Sequence, residues 1–151
     1  MDRRIVLAQV MLPFNANLAG NVHGGEIMKM MDNTAAALAR KYSKGSCVTA
    51  RVDELEFLLP VFMGSLVTCT AILVYVGKTS MEILVNVDAE NISGTEGPKR
   101  ALSAFFTMVA MGENGKPREI KPYVPQTEEE IRLFEAAKAR RLQRKAQKTR
   151  Q

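Results

Sequence analysis

Asn15-Ala16-Asn17-Leu18-Ala19-Gly20-Asn21-Val22-His23-Gly24-Gly25 runs straight into Glu26-Ile27-Met28-Lys29-Met30-Met31-Asp32 and an alanine-rich stretch to Ala39. The first half has the composition of a loop. Asn and Gly tolerate left-handed backbone, and a glycine pair lets the chain approach another group closely. The second half repeats its apolar residues at Ile27, Met31, Thr34, Ala35 and Leu38. That is one stripe of a 3.6-residue period, and it predicts a helix from about Gly24 to Tyr42. Ser43-Lys44-Gly45 ends it, with Arg40, Lys41 and Lys44 suited to a helix C-terminus.

A loop that opens directly into a helix leaves the amides of Gly24, Gly25 and Glu26 without intrahelical acceptors. Such an end carries partial positive charge and suits an anion or a polarised carbonyl oxygen. Asp32 follows about two turns later, at the margin of the apolar stripe beside Met28, Ala36 and Ala39. Partial desolvation there would raise its pKa and strengthen it as a base. Eight residues of helix span roughly 12 Å, so Gly24 and Asp32 of one chain cannot act on one atom. If both are catalytic, the helices of two chains run antiparallel, with one chain's acid beside the other's glycines. The expected unit is then an obligate dimer with two equivalent sites.

Outward from this stretch, residues 4–12 read as a strand that Pro13 breaks. Four more strand-like runs follow: Cys47 to Leu59, Leu66 to Val76, Ser80 to Ile92 and Lys99 to Met111. In the third, Met81, Ile83, Val85 and Val87 fall on one face, and Glu82, Asn86 and Asp88 on the other. Phe105 and Phe106 point to opposite faces. Long successive strands with short connections argue an antiparallel sheet, and one apolar helix with five strands argues a sheet curled around the helix. The fold class is α+β. Beyond the polar turn 113–118 and the Pro122 and Pro125 linker, Thr127 with Glu130 forms a capping box. A second helix therefore starts near Glu128, with Ile131, Phe134 and Ala137 or Lys138 facing the body. Past Leu142 apolar residues are too sparse to hold it, which predicts fraying unless the end has a partner. The chain divides into a domain at 1–125 and a basic helical tail at 126–151.

The net charge of +5 belongs to that tail. Residues 136–151 carry seven Lys or Arg and no acid, whereas residues 1–135 carry fourteen basic and sixteen acidic residues, a balance of −2. The tail lacks interleaved aromatics, so neither nucleic acid nor stable membrane association is expected. No apolar run reaches membrane-spanning length and no signal-peptide pattern is present, which makes the expected location cytoplasmic. Cys47 and Cys69 read as reduced core residues. His23 is the only histidine, so one chain can build neither a His-based triad nor a multi-His metal site.

The run Asn17-x-x-Gly20-Asn21-Val22-His23-Gly24-Gly25, followed by Met31-Asp32, resembles the hotdog-fold acyl-CoA thioesterases, in particular the cytosolic acyl-CoA thioester hydrolases. The likeness extends to Phe134-Glu135-x-x-Lys138-x-Arg140. It implies hydrolysis of acyl-CoA to a free fatty acid and coenzyme A, with no cofactor. It also implies homo-oligomers in which dimers assemble into a trimer of dimers, a hexamer. Within the family an Asn before the glycines polarises the thioester carbonyl, a backbone amide at the helix start assists, and an acid on the opposing subunit acts as base or nucleophile. These roles carry over to Asn17, to Gly24 or Gly25, and to Asp32. Some tandem-repeat members split the Asn and the acid between two domains; this chain holds both in one copy. Asn15 competes with Asn17, but Asn17 has the family's spacing to Gly24.

Each residue also has a plainer reading. Asp32 could face solvent or form a salt bridge, Asn17 could bond its own backbone, and His23 reads as a loop histidine bonding a backbone group. Gly77-Lys78-Thr79-Ser80-Met81 is a turn, and the resemblance points to coenzyme A there, held by Lys78, Thr79 and Ser80. Arg100, Arg140 and Arg141 are candidates for the adenosine phosphates. Arg51, Asp53 and Glu56 are candidates for inter-chain ion pairs. Two alternatives stand beside the thioesterase. A hotdog hydratase or dehydratase needs an Asp and a His placed together, yet Ala37 lies five after Asp32 and His23 precedes the helix. A non-catalytic acyl-CoA or nucleotide-binding regulator would use the basic tail.

Overall fold

The computed structural model describes residues 3–149; the last two residues of the 126–151 segment lie outside the described residues. The apolar stripe forms α1 (Gly24–Ser43), and its residues Ile27, Met31, Thr34, Ala35, Leu38, Ala39 and Tyr42 are buried. Fully burying a side chain such as Ile, Met or Leu contributes roughly 1.5–3 kcal/mol. Lys44 ends α1 in the left-handed conformation (φ 60°), its N–H donating to Arg40 O at 2.9 Å. The Arg118 guanidinium then donates to Ser43 O at 2.9 Å, to Ser43 Oγ at 3.0 Å and to Met111 O at 3.1 Å. A distant arginine thus satisfies a helix-end carbonyl that the helix cannot.

Five strands make one antiparallel sheet: β1 (Arg4–Val10), β2 (Cys47–Phe57), β3 (Leu66–Val76), β4 (Ser80–Glu90) and β5 (Lys99–Ala110). Their order across the sheet is β1-β3-β4-β5-β2. β3 has the bounds read from the sequence, and the other four strands end one or two residues earlier than the sequence periodicity suggests. α1 packs against all five strands, and its core neighbours are the alternating residues Val67, Cys69, Ala71 and Leu73 of β3, and Met81, Ile83, Val85 and Val87 of β4. This is the hotdog architecture that the resemblance implies. Phe106 lies in the core while Phe105 lies on the opposite face, as the alternation requires.

The opposite face is covered by α2 (Glu128–Thr149). Thr127 Oγ1 accepts from Glu130 N at 3.1 Å, and Glu130 Oε2 accepts from Gln126 N at 3.2 Å, one residue earlier than an ordinary capping box. Phe134 stacks on Tyr75 with ring centroids 5.0 Å apart, and Ala137 is buried. Ile131, expected to face the body, is 46% exposed, and Lys138 points outward. Fraying past Leu142 is expected only in the absence of a partner, and the sheet supplies one: the helix continues to Thr149. Beyond the apolar contacts of Phe134 and Ala137 its anchors are charges. Arg140 Nε and Nη2 donate to Glu82 Oε1 at 3.1 and 3.0 Å, with the Arg140 guanidinium 3.7 Å from the Phe105 ring centroid. Arg141 lies 4.7 Å from the Tyr75 ring centroid, and Arg144 Nη1 donates to Asp53 Oδ2 at 2.5 Å. Glu82 is fully buried by this cover.

Candidate active site

The loop before α1 is tied down by its own asparagines. Asn15 is buried; its Oδ1 accepts from Leu12 N at 2.9 Å, and its backbone oxygen accepts from His23 N at 2.7 Å. That makes Asn15 a structural residue and leaves the outer position to Asn17, which is exposed. Asn17 Oδ1 accepts from Ala19 N at 2.9 Å and Asn21 N at 3.2 Å. The plain backbone-bonding reading of Asn17 therefore holds for its oxygen. The same two bonds fix the amide plane and leave both Nδ2 hydrogens without an acceptor among the described residues.

The helix start is more selective than the sequence suggests. His23 is the N-cap, and its Nδ1 accepts from Gly25 N at 3.0 Å. Glu26 N donates to His23 O at 2.9 Å. Of the three amides expected to be open, two are occupied, and Gly24 N–H alone has no acceptor among the described residues. The glycine pair has a steric reason too. A Cβ on Gly25 would lie 3.0 Å from His23 Nδ1, and one on Gly24 would lie 3.2 Å from Phe57 Cζ. The Phe57 ring rests against Gly24 because β2 ends beside the start of α1. Phe57 remains 53% exposed.

Asp32 is half-buried on α1, as its place at the margin of the stripe requires. Thr49 Oγ1, near the start of β2, donates to Asp32 Oδ1 at 2.5 Å, and Met108 Sδ lies 3.4 Å from the same hydroxyl. One carboxylate oxygen is held and the other has no partner among the described residues. Sequence reasoning missed Thr49. Nothing local marks it, because the pair forms only when β2 is laid beside α1.

The residues assigned to coenzyme A are not brought together in one chain. Lys78, Thr79 and Ser80 form the β3–β4 turn, closed by Gly77 N donating to Ser80 O at 2.8 Å. Lys78 Nζ lies 3.4 Å from Glu119 Oε1 on the surface. Ser80 pairs with Val109, whereas Arg100 pairs with Asp88 at the far end of β4 and β5. Nine residues of strand separate the two ends, roughly 30 Å. Arg100 Nε donates to Asp88 Oδ1 at 2.8 Å, and the Arg140 guanidinium is committed to Glu82, so neither is poised for an adenosine phosphate. Arg141 Nη1 donates to Ser80 Oγ at 3.2 Å. Arg51 and Asp53 pair with each other within the chain, Nε to Oδ1 at 2.6 Å.

Cys47 and Cys69 are free thiols, and burial pushes the Cys69 thiol up to about 11. Among the described residues no group of three or more His, Cys, Asp or Glu is placed to hold a metal ion. No described helix is long and apolar enough to cross a membrane.

Residues 19–95 match the model of the thioesterase superfamily. The chain is 39% identical over 137 residues to the mouse cytosolic acyl coenzyme A thioester hydrolase, covering 90% of this chain and 36% of that one. It therefore spans about a third of that relative's length. Among solved structures, an apo-hexameric acyl-CoA thioesterase superposes with a TM-score of 0.88 at 34% identity, covering 95% of this chain and 92% of the other. The Staphylococcus aureus acyl-CoA hydrolase, solved with butyryl coenzyme A and coenzyme A, superposes with a TM-score of 0.88 at 26% identity, covering 99% and 90%. That enzyme has also been solved with an asparagine, an aspartate or a threonine changed to alanine.

Proposed function

We propose, from the premise that the chain belongs to the thioesterase superfamily, that it hydrolyses acyl-CoA to a free carboxylic acid and coenzyme A. The observation that carries the reading is the Asp32–Thr49 pair together with the single open amide at Gly24. The three positions changed in the S. aureus enzyme stand at the same two intervals along the chain as Asn17, Asp32 and Thr49. In this reading Asn17 Nδ2 and Gly24 N–H donate to the thioester oxygen as charge develops on it. Gly25 shapes the helix start through its bond to His23. Asp32 either takes a proton from the attacking water or attacks the carbonyl itself, and Thr49 holds one of its oxygens so that the other faces the substrate. Lys78, Thr79 and Ser80 are proposed to meet the coenzyme A phosphates. The chemistry asks for no metal or redox group, and the expected location is cytoplasmic.

The edge of the sheet supports the proposed assembly. Among the described residues β2 has a neighbour on one side only, and it is exposed along most of its length, including Val48, Val52 and Phe57. A bare edge is a template for pairing with another chain. Asp32 is tied to Thr49 near the start of β2, and Gly24 lies against Phe57 at its end. Antiparallel pairing of β2 with a second β2 about a two-fold axis sets start against end. Each Asp32 then faces the partner's helix start, which resolves the 12 Å gap within one chain. Three such dimers would form a hexamer.

Asp32→Asn is expected to lower turnover by orders of magnitude with the oligomer intact, followed as free thiol released from an acyl-CoA series. A variant that turns over normally would remove Asp32 from the mechanism. Single turnover in labelled water reports on the route: carboxylate attack expels the thiolate and forms a mixed anhydride, and water that opens it at the Asp32 carbonyl leaves solvent oxygen in Asp32, whereas base catalysis delivers it to the product acid alone.

A further inference from the structure

We infer that the cavity beneath the last turns of α2 binds a phosphate-bearing ligand. It has a volume of about 350 Å³, and five cations line it: Arg51, Arg141, Arg144, Lys145 and Lys148. No acid is among its lining residues. A basic helix that simply solvates its charges spreads them around its circumference. Here positions 141, 144, 145 and 148 follow the i, i+3, i+4, i+7 pattern and share one side, the side turned to the sheet.

β2 contributes the fifth cation by an irregularity. Thr49 pairs with Met108, but the next pair is Arg51 with Thr107, because a bulge intervenes at Ala50. A bulge re-aims the side chains that follow it. Thr49 points at Asp32 on the α1 side, whereas Arg51 joins Thr107 on the α2 side. Asp53 accepts from both Arg51 and Arg144, so one carboxylate serves two guanidiniums. Lys145 and Lys148 have no ion-pair partner among the described residues. Thr107 Oγ1 lines the same cavity, buried and without a hydrogen-bond partner, and Ser80 adds a second hydroxyl.

Asp53 offsets part of the charge of Arg51 and Arg144, which leaves Arg141, Lys145 and Lys148 without a carboxylate among the described residues, and a multiply charged anion relieves the repulsion of that excess. Arginine forks and lysine point charges beside hydroxyl donors match phosphate oxygens. The phosphates could be those of the coenzyme A substrate itself or those of a free nucleoside polyphosphate. Only the first source rests on the thioesterase reading; binding as such does not.

The test uses the full chain with Lys145→Glu and Lys148→Glu combined, two exposed positions outside the core. Calorimetric titration with pyrophosphate and with ADP needs no turnover. Both probes are expected to bind the parent protein, and the double variant to bind them about tenfold more weakly or worse. Thr107→Val is expected to weaken pyrophosphate binding as well. If the site takes the substrate's phosphates, ADP competes with acyl-CoA, and the double variant raises KM for acyl-CoA but not for the phosphate-free acyl-pantetheine. If it takes a free nucleotide, both KM values stay unchanged while ADP binding is lost. Equal binding by parent and double variant, or none by the parent, overturns the inference.

Discussion

Arg140→Ala removes the main partner of a carboxylate that is fully buried, while Arg140 itself is only 20% exposed. Stripping one member from a buried ion pair costs about 3–5 kcal/mol, because the remaining charge is left uncompensated in a poor dielectric. Arg144 Nη2 already lies 3.8 Å from Glu82 Oε2 and can take up part of that charge. This places the cost at the lower end, about 3 kcal/mol including the lost stacking on Phe105. For a chain of this size that is a fall in Tm of roughly 6–12 °C. Melting is followed by far-UV circular dichroism at fixed protein concentration, since an oligomer's Tm depends on concentration. The control is Glu82→Leu with Arg140→Leu, in which neither charge remains. It is expected to recover most of the loss, because a hydrophobic replacement of a buried pair is often neutral. A fall below about 2 °C for Arg140→Ala, or a double variant no better than the single one, would refute the argument that an ion pair holds α2 to the sheet.

Three further outcomes are expected. Thr49→Val keeps the shape of β2 but frees Asp32 Oδ1, and kcat should fall roughly ten- to a hundredfold with Tm unchanged, as steady-state kinetics beside a melt would show. Gly45→Ala places a Cβ 2.5 Å from Arg118 Nη2 and 2.9 Å from its Cζ, so the guanidinium must leave the end of α1. The expected cost is about 1–2 kcal/mol by urea titration. Burial pushes the Glu130 carboxyl up, but Gln126 N–H, the Tyr123 hydroxyl and the Arg3 guanidinium outweigh it and hold the group below the ordinary value of 4.5. The stability this provides is present above that value and is lost as pH falls through the lower folded-state value. Melts from neutral pH to below 4.5 should show the parent's advantage over Glu130→Gln shrinking on acidification; a constant difference would count against it.

The amino-acid sequence by itself determined the features whose signals are local. The apolar period of α1, the alternation along β4 and the start of α2 at Thr127 and Glu130 each depend on residues a few positions apart, and all appear as read. The loop, the helix start at the glycine pair and the place of Asp32 at the margin of the stripe were legible as structure for the same reason. Only the tertiary structure decided which faces are covered and which polar groups are used up. Alternation places Glu82 on a polar face, yet Glu82 is buried, because Arg140, 58 residues later, closes over it. The sparseness of apolar residues past Leu142 suggests a frayed end unless a partner is found, and Arg140, Arg141 and Arg144 find partners on the sheet that no window of α2 contains. Thr49 reaches Asp32, and one bulge later Arg51 turns to the other side, since strand register is set by pairing between distant segments. Periodicity tells a segment which of its sides are alike; what lies against each side is settled by chain that folds in from elsewhere.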